Sequence, residues 1–397
     1  MSLNYRKLLV AVDGSIWSRW ATEWAIRVAQ HCGAEVHALH VYAARLHETR
    51  FQQMEPALPD TYQKEANLAR LRRTHAALIG EGLQLIAQSY LREAERRARE
   101  LGVAFTPVLR EGKHFVEILR YGKESQADLL VLGAKGLGGS ERVPLGSVAE
   151  RVLWAAECDL LIVRSAFPTG SGGILVGVDG SPYSLAAALQ ASRWSHCLSL
   201  PVILAAAYDP AFHTGVFRTV ADVLPEDAAA RFDFRSQERL HNEIIDQGLA
   251  HLYRSYLEQA ASVVASPHPP ETLLLEGKPF EALVEQALPG RVSLIVVGRH
   301  GAHREGIHPI GFNAVAVARY CPVSVLISSA ESAPQDLREV ASEKTVTWDP
   351  QVEERLQRIP SFVRGMAKKT IERFAKEQGY DRVTLDVYER ARKHFGM

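Results

Sequence analysis

Short, continuous apolar runs separated by stretches of helical periodicity recur along most of the chain. Residues Lys7 to Val12 form the first run, the mark of a strand buried on both faces. Asp13-Gly14-Ser15 breaks it. Ser15 or Ser18 can cap the helix that follows, whose apolar side carries Trp20, Trp24, Ala25 and Val28. Glu35 to Val41 reads as a second strand, and residues 42–60 as irregular. A long amphipathic helix is predicted from Thr74 or His75 to Leu101, with Leu78, Ile79, Leu83, Ile86, Leu91 and Ala94 as its stripe. Phe105 to Leu109 is a third strand, and Phe115 to Tyr121 opens another helix. Asp128 to Leu132 is a fourth strand, Val148 to Trp154 a short amphipathic run, and Leu160 to Val163 a fifth strand. Strands alternating with helices predict a doubly wound parallel sheet. Ligands of such sheets sit at the carboxyl ends of strands near the point where strand order reverses. Asp13, Val41 and Gly133 all stand at such ends.

The pattern then restarts. Pro168-Thr-Gly-Ser-Gly-Gly173 has the composition of a linker. Its glycines precede a strand, which separates it from the SGGxDS loop of ATP pyrophosphatases, where they follow one. Ile174 to Ser181 repeats the first strand and its Asp-Gly-Ser turn, with Asp179 standing 166 residues after Asp13. Gly133, Gly136 and Gly146 recur as Gly298, Gly301 and Gly311, each 165 residues on. Glu111-Gly-Lys recurs as Glu276-Gly-Lys, and Cys32 as Cys197. Chance does not give so many landmarks one offset, so the chain is a tandem duplication. The copies diverge where chemistry is expected: Ser147 corresponds to Phe312, Val41 to Ala207 and Lys135 to His300. Phe312 removes a donor and adds bulk, so the second site is read as degenerate. The predicted domains are 1–167 and 173–330, two five-stranded Rossmann-like units, followed by 345–397.

That last segment differs in character. Asp349 and Pro350 start a helix with Val352, Leu356 and Ile359 as its stripe, and Pro360 ends it. Ala367, Ile371, Phe374 and Ala375 stripe a second helix that stops near Gly379. Thr384 caps a third, carrying Leu385, Tyr388, Ala391 and Phe395. A small three-helix module is expected.

The chemistry gathers at one loop. Gly133-Ala-Lys-Gly136, nine residues, then Gly146-Ser147 lie between a strand and a helix start. This order aims backbone N–H groups and a helix N-terminus at one point, which suits phosphate. Gly133 and Gly136 would let backbone approach a ligand without a Cβ in the way. Ser147 can donate its hydroxyl to an anion. Lys135 and Arg142 are loop cations that either contact phosphate or are solvated. Packing of helix on sheet is the structural alternative for the glycines. His300, His303 and His308 share a loop with Glu305, and are read as exposed histidines rather than a metal site. Arg364, Lys368, Lys369 and Arg373 form a basic helix face, read as solvated.

Composition narrows the classes. Lys and Arg number 46, as do Asp and Glu, so the formal net charge is zero. That argues against bulk electrostatic binding to nucleic acid or to an anionic membrane. No apolar run is long enough to span a bilayer, and no signal peptide is visible, so the cytoplasm is the expected compartment. The four cysteines, Cys32, Cys158, Cys197 and Cys321, lie far apart without CxxC spacing and read as small core residues.

The Gly133-x2-Gly136-x9-Gly146-Ser147 spacing, together with Val10-Ala-Val-Asp-Gly-Ser15 on the first strand, resembles the universal stress protein family. The resemblance implies an adenine-nucleotide alpha-hydrolase-like fold. It implies ATP, with Mg2+ as accompanying ion, held by Gly133, Lys135, Gly136, Gly146, Ser147 and Val148 at the phosphates. Ala11, Val12, Asp13 and the backbone of Val41 would hold ribose and adenine. It also implies pairing through the fifth strands, which Leu160–Val163 and Val323–Ile327 could satisfy within one chain as a pseudo-dimer, with a homodimer as a further form. The run from Trp348 through Leu356, Ile359-Pro360 and Phe362-Val-Arg364 to Glu372, Ala375 and Gly379 resembles the C-terminal domain of the light-independent protochlorophyllide reductase B subunit. No cysteine here is placed as an iron–sulfur ligand, so the reductase reaction does not carry over; the module would dock a protein partner or serve a pigment-related role. The expected function is ATP binding in a regulatory stress role, with weak ATPase activity at most. The alternatives are a nucleotide-independent scaffold that presents the C-terminal module, and an adenylating enzyme.

Overall fold

The computed structural model describes residues 3–209, 246–265, 269–304, 308–331, 347–357 and, with a few exceptions, 368–395. The chain divides into two compact units, residues 1–333 and 334–397.

In the first unit β1 (Lys7–Ala11) leads through an Asp-Gly turn into α1 (Ile16–Cys32). Ser15 is the cap, its Oγ accepting from Ser18 N at 3.1 Å. Gly33 closes α1 in the left-handed region at φ 70°, where a side chain would be strained. Trp24, Ala25 and Val28 are fully buried by α1, as its periodicity demands. β2 (Glu35–Tyr42) follows, then α2 (Ala44–Met54), α3 (Glu65–Glu100), β3 (Phe105–Glu111) and α4 (His114–Glu124). β4 (Leu129–Gly133), α5 (Ser147–Ala155) and β5 (Asp159–Val163) complete the first half.

The second half repeats this order. It comprises β6 (Ile174–Gly177), α6 (Pro182–Leu198), β7 (Val202–Tyr208), α7 (Asp246–Val263), β8 (Glu271–Glu276) and α8 (Pro279–Gln286). β9 (Leu294–Gly298), α9 (Phe312–Tyr320) and β10 (Ser324–Ser328) close it.

Two expectations fail locally. α3 begins at Glu65, well before Thr74, and α2 occupies part of the stretch read as irregular. α2 buries no residue, so it leaves no apolar pattern to find. It is held instead by side-chain contacts to α3: Phe51 stacks on His75 at 4.4 Å, and Arg72 pairs at 2.6 Å with Glu55, the residue that caps the C-terminal end of α2. The predicted stripe of α3 holds at Leu91 and Ala94, which are buried, and fails at Leu78 and Ile86, which are exposed.

The ten strands form one sheet in the order β3-β2-β1-β4-β5-β10-β9-β6-β7-β8. Within each half all neighbours are parallel. The halves join where β5 and β10 run antiparallel, Leu161 opposite Leu326. The pairing of fifth strands implied by the family resemblance therefore occurs inside one chain. One apolar core runs through both halves, from Leu9 and Ile162 to Val325 and Ile327. α1 and α6 meet across the seam on one face, with Trp24 and Trp194 ring centroids 6.2 Å apart. On the other face Arg319 of α9 donates from Nε to Glu150 of α5 at 3.0 Å. That cation holds the Glu150 carboxyl below its ordinary range.

The second unit has its own small core of Val352, Leu356, Ile371, Phe374, Val383, Val387 and Tyr388. β11 (Thr347–Trp348) pairs in parallel with β12 (Arg382–Val383), a contact that helical periodicity did not predict. α10 (Pro350–Gln357) begins at the proline as expected. α11 (Leu385–Phe395) has Thr384 Oγ1 accepting from Val387 N at 3.5 Å. Trp348 donates its indole N–H to Glu372 at 2.8 Å and carries Lys368 over its ring. Ile359, Pro360, Arg364, Ala367, Lys369, Arg373 and Gly379, on which the rest of that reading fell, lie outside the described residues.

Candidate functional site

In the first half the strand order reverses between β1 and β4, which are hydrogen-bonded neighbours with Val10 opposite Val131. Both end at the same edge of the sheet, and β2 ends beside β1 with Leu39 opposite Ala11. The crevice beyond these ends is where a doubly wound sheet offers a binding site. The fold brings Ala11, Val12, Asp13, Val41 and Gly133 to this edge, and the loop 134–146 returns to it at Gly146.

Asp13 joins the parts. Its Oδ1 accepts from Ser15 N at 2.9 Å, fixing the turn into α1. Its Oδ2 accepts from Leu137 N at 3.2 Å, fixing the glycine loop. One carboxylate thus ties the end of β1 to the loop after β4. Gly136 is required by that contact, because a Cβ there would stand 2.6 Å from Asp13 Oδ2. The second half repeats the device. Asp179 accepts from Ser181 N at 3.0 Å and Ala302 N at 2.9 Å, and a Cβ on Gly301 would meet it at 2.6 Å.

Gly133 answers to a different neighbour. A Cβ there would stand 2.7 Å from Trp17 Cβ and 2.8 Å from its backbone carbon. Gly133 is therefore bare because the first turn of α1 crosses β4 against it, so its requirement is packing of helix on sheet. Gly146 closes the loop: its N–H donates to Ala134 O at 2.8 Å, and a Cβ would lie 3.2 Å from the Lys135 Cα. It is also the cap of α5 and offers no side-chain acceptor. The first N–H groups of α5, at Ser147 and Val148, have no side-chain cap, the usual setting for an anion. Ser147 is exposed on that first turn.

The loop cations divide. Lys135 Nζ donates to Ser140 O at 3.0 Å, so its charge is folded onto its own loop. Arg142 is exposed. Val41 is buried, leaving its backbone as the part that can face a ligand.

Two side chains that sequence reasoning passed over border this edge. His40 donates from Nδ1 to Val12 O at 2.7 Å, since a carbonyl can only accept. Burial lowers the pKa of its ring, favouring the neutral form. Tyr90 of α3 lies flat on Gly14, where a Cβ would fall 2.3 Å from the ring and φ is 80°. Tyr256 covers Gly180 in the same way in the second half. The signal was present in the duplication, since Tyr90 and Tyr256 stand 166 residues apart, as do Asp13 and Asp179.

In the second half Phe312 takes the place of Ser147. Its ring is 74% exposed and meets Phe280 edge-on at 5.8 Å. The ring therefore leans on α8 and stands largely in solvent, and the second half lacks the hydroxyl that Ser147 supplies in the first. His300 packs edge-on against Tyr183, and Tyr183 also receives Arg304. Among the described residues no group of three metal-ligating side chains forms, and no helix is long and apolar enough to cross a membrane.

A doubly wound fold in duplicate, each copy with an aspartate clamped to a glycine loop at its switch point, defines a class that comparison with known proteins identifies. The profile of the Universal stress protein family matches residues 4–164 and 172–329. The chain belongs to the universal stress protein family. It is 33% identical over 162 residues to a universal stress protein of Methanocaldococcus jannaschii, covering 40% of this chain and 82% of that one. A putative universal stress protein structure from Pseudomonas aeruginosa aligns over 86% of this chain and 99% of its own, at 16% identity and TM-score 0.49. A universal stress protein solved in complex with cAMP aligns over 41% of this chain and all of its own, at 24% identity and TM-score 0.28. Residues 348–392 match the family described as Proto-chlorophyllide reductase 57 kD subunit. The B subunit of light-independent protochlorophyllide reductase from a Bradyrhizobium strain is 37% identical over 81 residues, 20% of this chain but only 16% of that protein.

Proposed function

We propose that the first half binds ATP at the edge formed by β1, β2 and β4, and that the chain is a nucleotide-binding regulator rather than an efficient enzyme. The observation that carries this reading is the Asp13 clamp. It holds the loop from Gly136 to Gly146 against the strand ends, with the uncapped first turn of α5 beside it. Backbone amides at Gly136 and Val148 and the Ser147 hydroxyl would take the phosphates, with Mg2+ shared between phosphate oxygens and water. Val12, Asp13 and the Val41 backbone would take ribose and adenine, with Ala11 and Gly133 forming the floor. Lys135 is engaged by Ser140, so the loop offers donors that hold a phosphate more than groups that activate a water. Binding would order the loop and shift its affinity for a partner. The C-terminal unit is proposed as the surface that docks a protein.

The test is calorimetric titration of the full chain with ATP and Mg2+. One ATP per chain is expected. Ser147→Ala should weaken it by roughly one to two decades, since a hydrogen bond to a charged group contributes about 1.5–3 kcal/mol. Gly136→Ala should weaken it further by unseating Asp13. Two equivalent sites, or affinity unchanged in both variants, would remove the assignment to the first half.

A further inference from the structure

The first turn of α5, at the phosphate end of the candidate site, carries an acid. Glu150 follows Ser147 by three residues, so the two are neighbours on the helix surface. Its carboxylate accepts from Trp154 Nε1 at 3.2 Å, from Arg319 Nε at 3.0 Å on one oxygen and 3.2 Å on the other, and from Arg319 Nη2. Arg319 stands in the last turn of α9, so this cation on the first half's helix comes from the second half. Arg164, just beyond β5, seats that turn. Its Nη2 donates to Ala318 O at 2.6 Å and to Arg319 O at 2.9 Å, and its Nη1 donates to Pro144 O at 3.0 Å. Pro144 belongs to the loop 134–146. One guanidinium thus ties the glycine loop of the first half to the helix end that carries Arg319.

The duplication does not repeat this arrangement. At the offset of 165, Val315 stands where Glu150 does, Trp154 where Arg319 does and Ser329 where Arg164 does. The first turn of α9 therefore holds no acid, and the last turn of α5 no base. The pair belongs to the first site alone, and charge gives it a consequence there. A carboxylate in a first turn suits the dipole of its own helix. It also opposes any anion that the same N-terminus is to hold, because like charges in one place disfavour each other. Arg319 cancels that charge from the side, and leaves the uncapped N–H groups at Ser147 and Val148 to a ligand.

We infer that Arg319 of the second half is a positioning residue of the first half's phosphate site: by neutralising Glu150 it makes the N-terminus of α5 receptive to a polyanion, so the site is electrostatically complete only with α9 in place. This rests on the ATP reading above and adds to it the part that the second half plays.

Calorimetric titration of full-length variants with ATP and Mg2+ decides it. Arg319→Met and Glu150→Gln break the same ion pair but leave opposite charges behind. Arg319→Met strands the carboxylate and should weaken ATP by about tenfold, whereas Glu150→Gln frees the guanidinium and should tighten ATP by about threefold. The double variant should return to within about threefold of wild type, and Arg319→Lys, which keeps the charge, should stay near it. The gap between the two single variants should narrow as salt is raised, because screening weakens charge and leaves shape alone. A pair that serves only the fold predicts the reverse: both single variants lose affinity together, by an amount that salt does not change. That result, or ATP affinity unmoved by Arg319→Met, would overturn the inference while leaving the ATP site standing. If Arg319→Met does not fold, the direction of the change in Glu150→Gln decides alone. A wild-type chain that binds no ATP would remove the site and this inference with it.

Discussion

At the scale of single residues, one side chain does most to organise the candidate site. Asp13 accepts two backbone N–H bonds, one from each side of the switch point. It was legible because an Asp-Gly turn ends a buried strand; its second bond, to Leu137, was not, because nothing in the sequence places residue 137 beside residue 13. The cysteines, read as small core residues, divide: Cys321 is buried, whereas Cys32, Cys158 and Cys197 are half-buried. All four are free thiols. Burial pushes Cys158 and Cys197 up to about 12 and Cys321 up to about 11. The thiolate is the reactive form, so native protein should react slowly with a thiol reagent at neutral pH and release four fast equivalents only when unfolded. A fast native equivalent would contradict the upward shift that desolvation gives these thiols.

Among elements, the glycine loop has two separable duties. Gly136 serves the Asp13 clamp, whereas Gly133 serves the crossing of α1 over β4. The spacing of glycines could not tell these apart, since both duties ask only for a missing Cβ. Gly133→Val should therefore force α1 off the sheet and cost about 1–3 kcal/mol or more of stability, as overpacking does. Gly136→Ala, meeting only a carboxylate tip, should keep the urea midpoint closer to wild type while weakening ATP binding. Equal loss of stability in the two variants would show that the loop is structural throughout. α2 and the first turns of α3 escaped the sequence because they bury little and are held by contacts such as Arg72 with Glu55.

For the whole molecule, the joined sheet makes stability depend on charge at the seam. Arg319 depresses the folded-state pKa of Glu150 below its unfolded value. The stabilisation from this pair is thus present above the unfolded pKa of about 4.3 and is lost as pH falls through the folded value. Urea midpoints of wild type and Glu150→Gln should differ at neutral pH and converge as the solution is made acidic. A gap that persists at low pH would mean the side chain acts by packing alone.

The sequence by itself determined the alternation of strand and helix, the duplication, the three site-facing strand ends and the glycine loop. These follow from local periodicity and from turn chemistry, which neighbouring residues fix among themselves. Only the tertiary structure decided which neighbour each glycine makes room for, that the ring of Phe312 leans on Phe280, and that Tyr90 covers Gly14. It also decided that Glu150 and Arg319, on opposite halves, pair across the seam. Those facts depend on groups separated by tens to more than a hundred residues meeting in space, which local periodicity cannot specify.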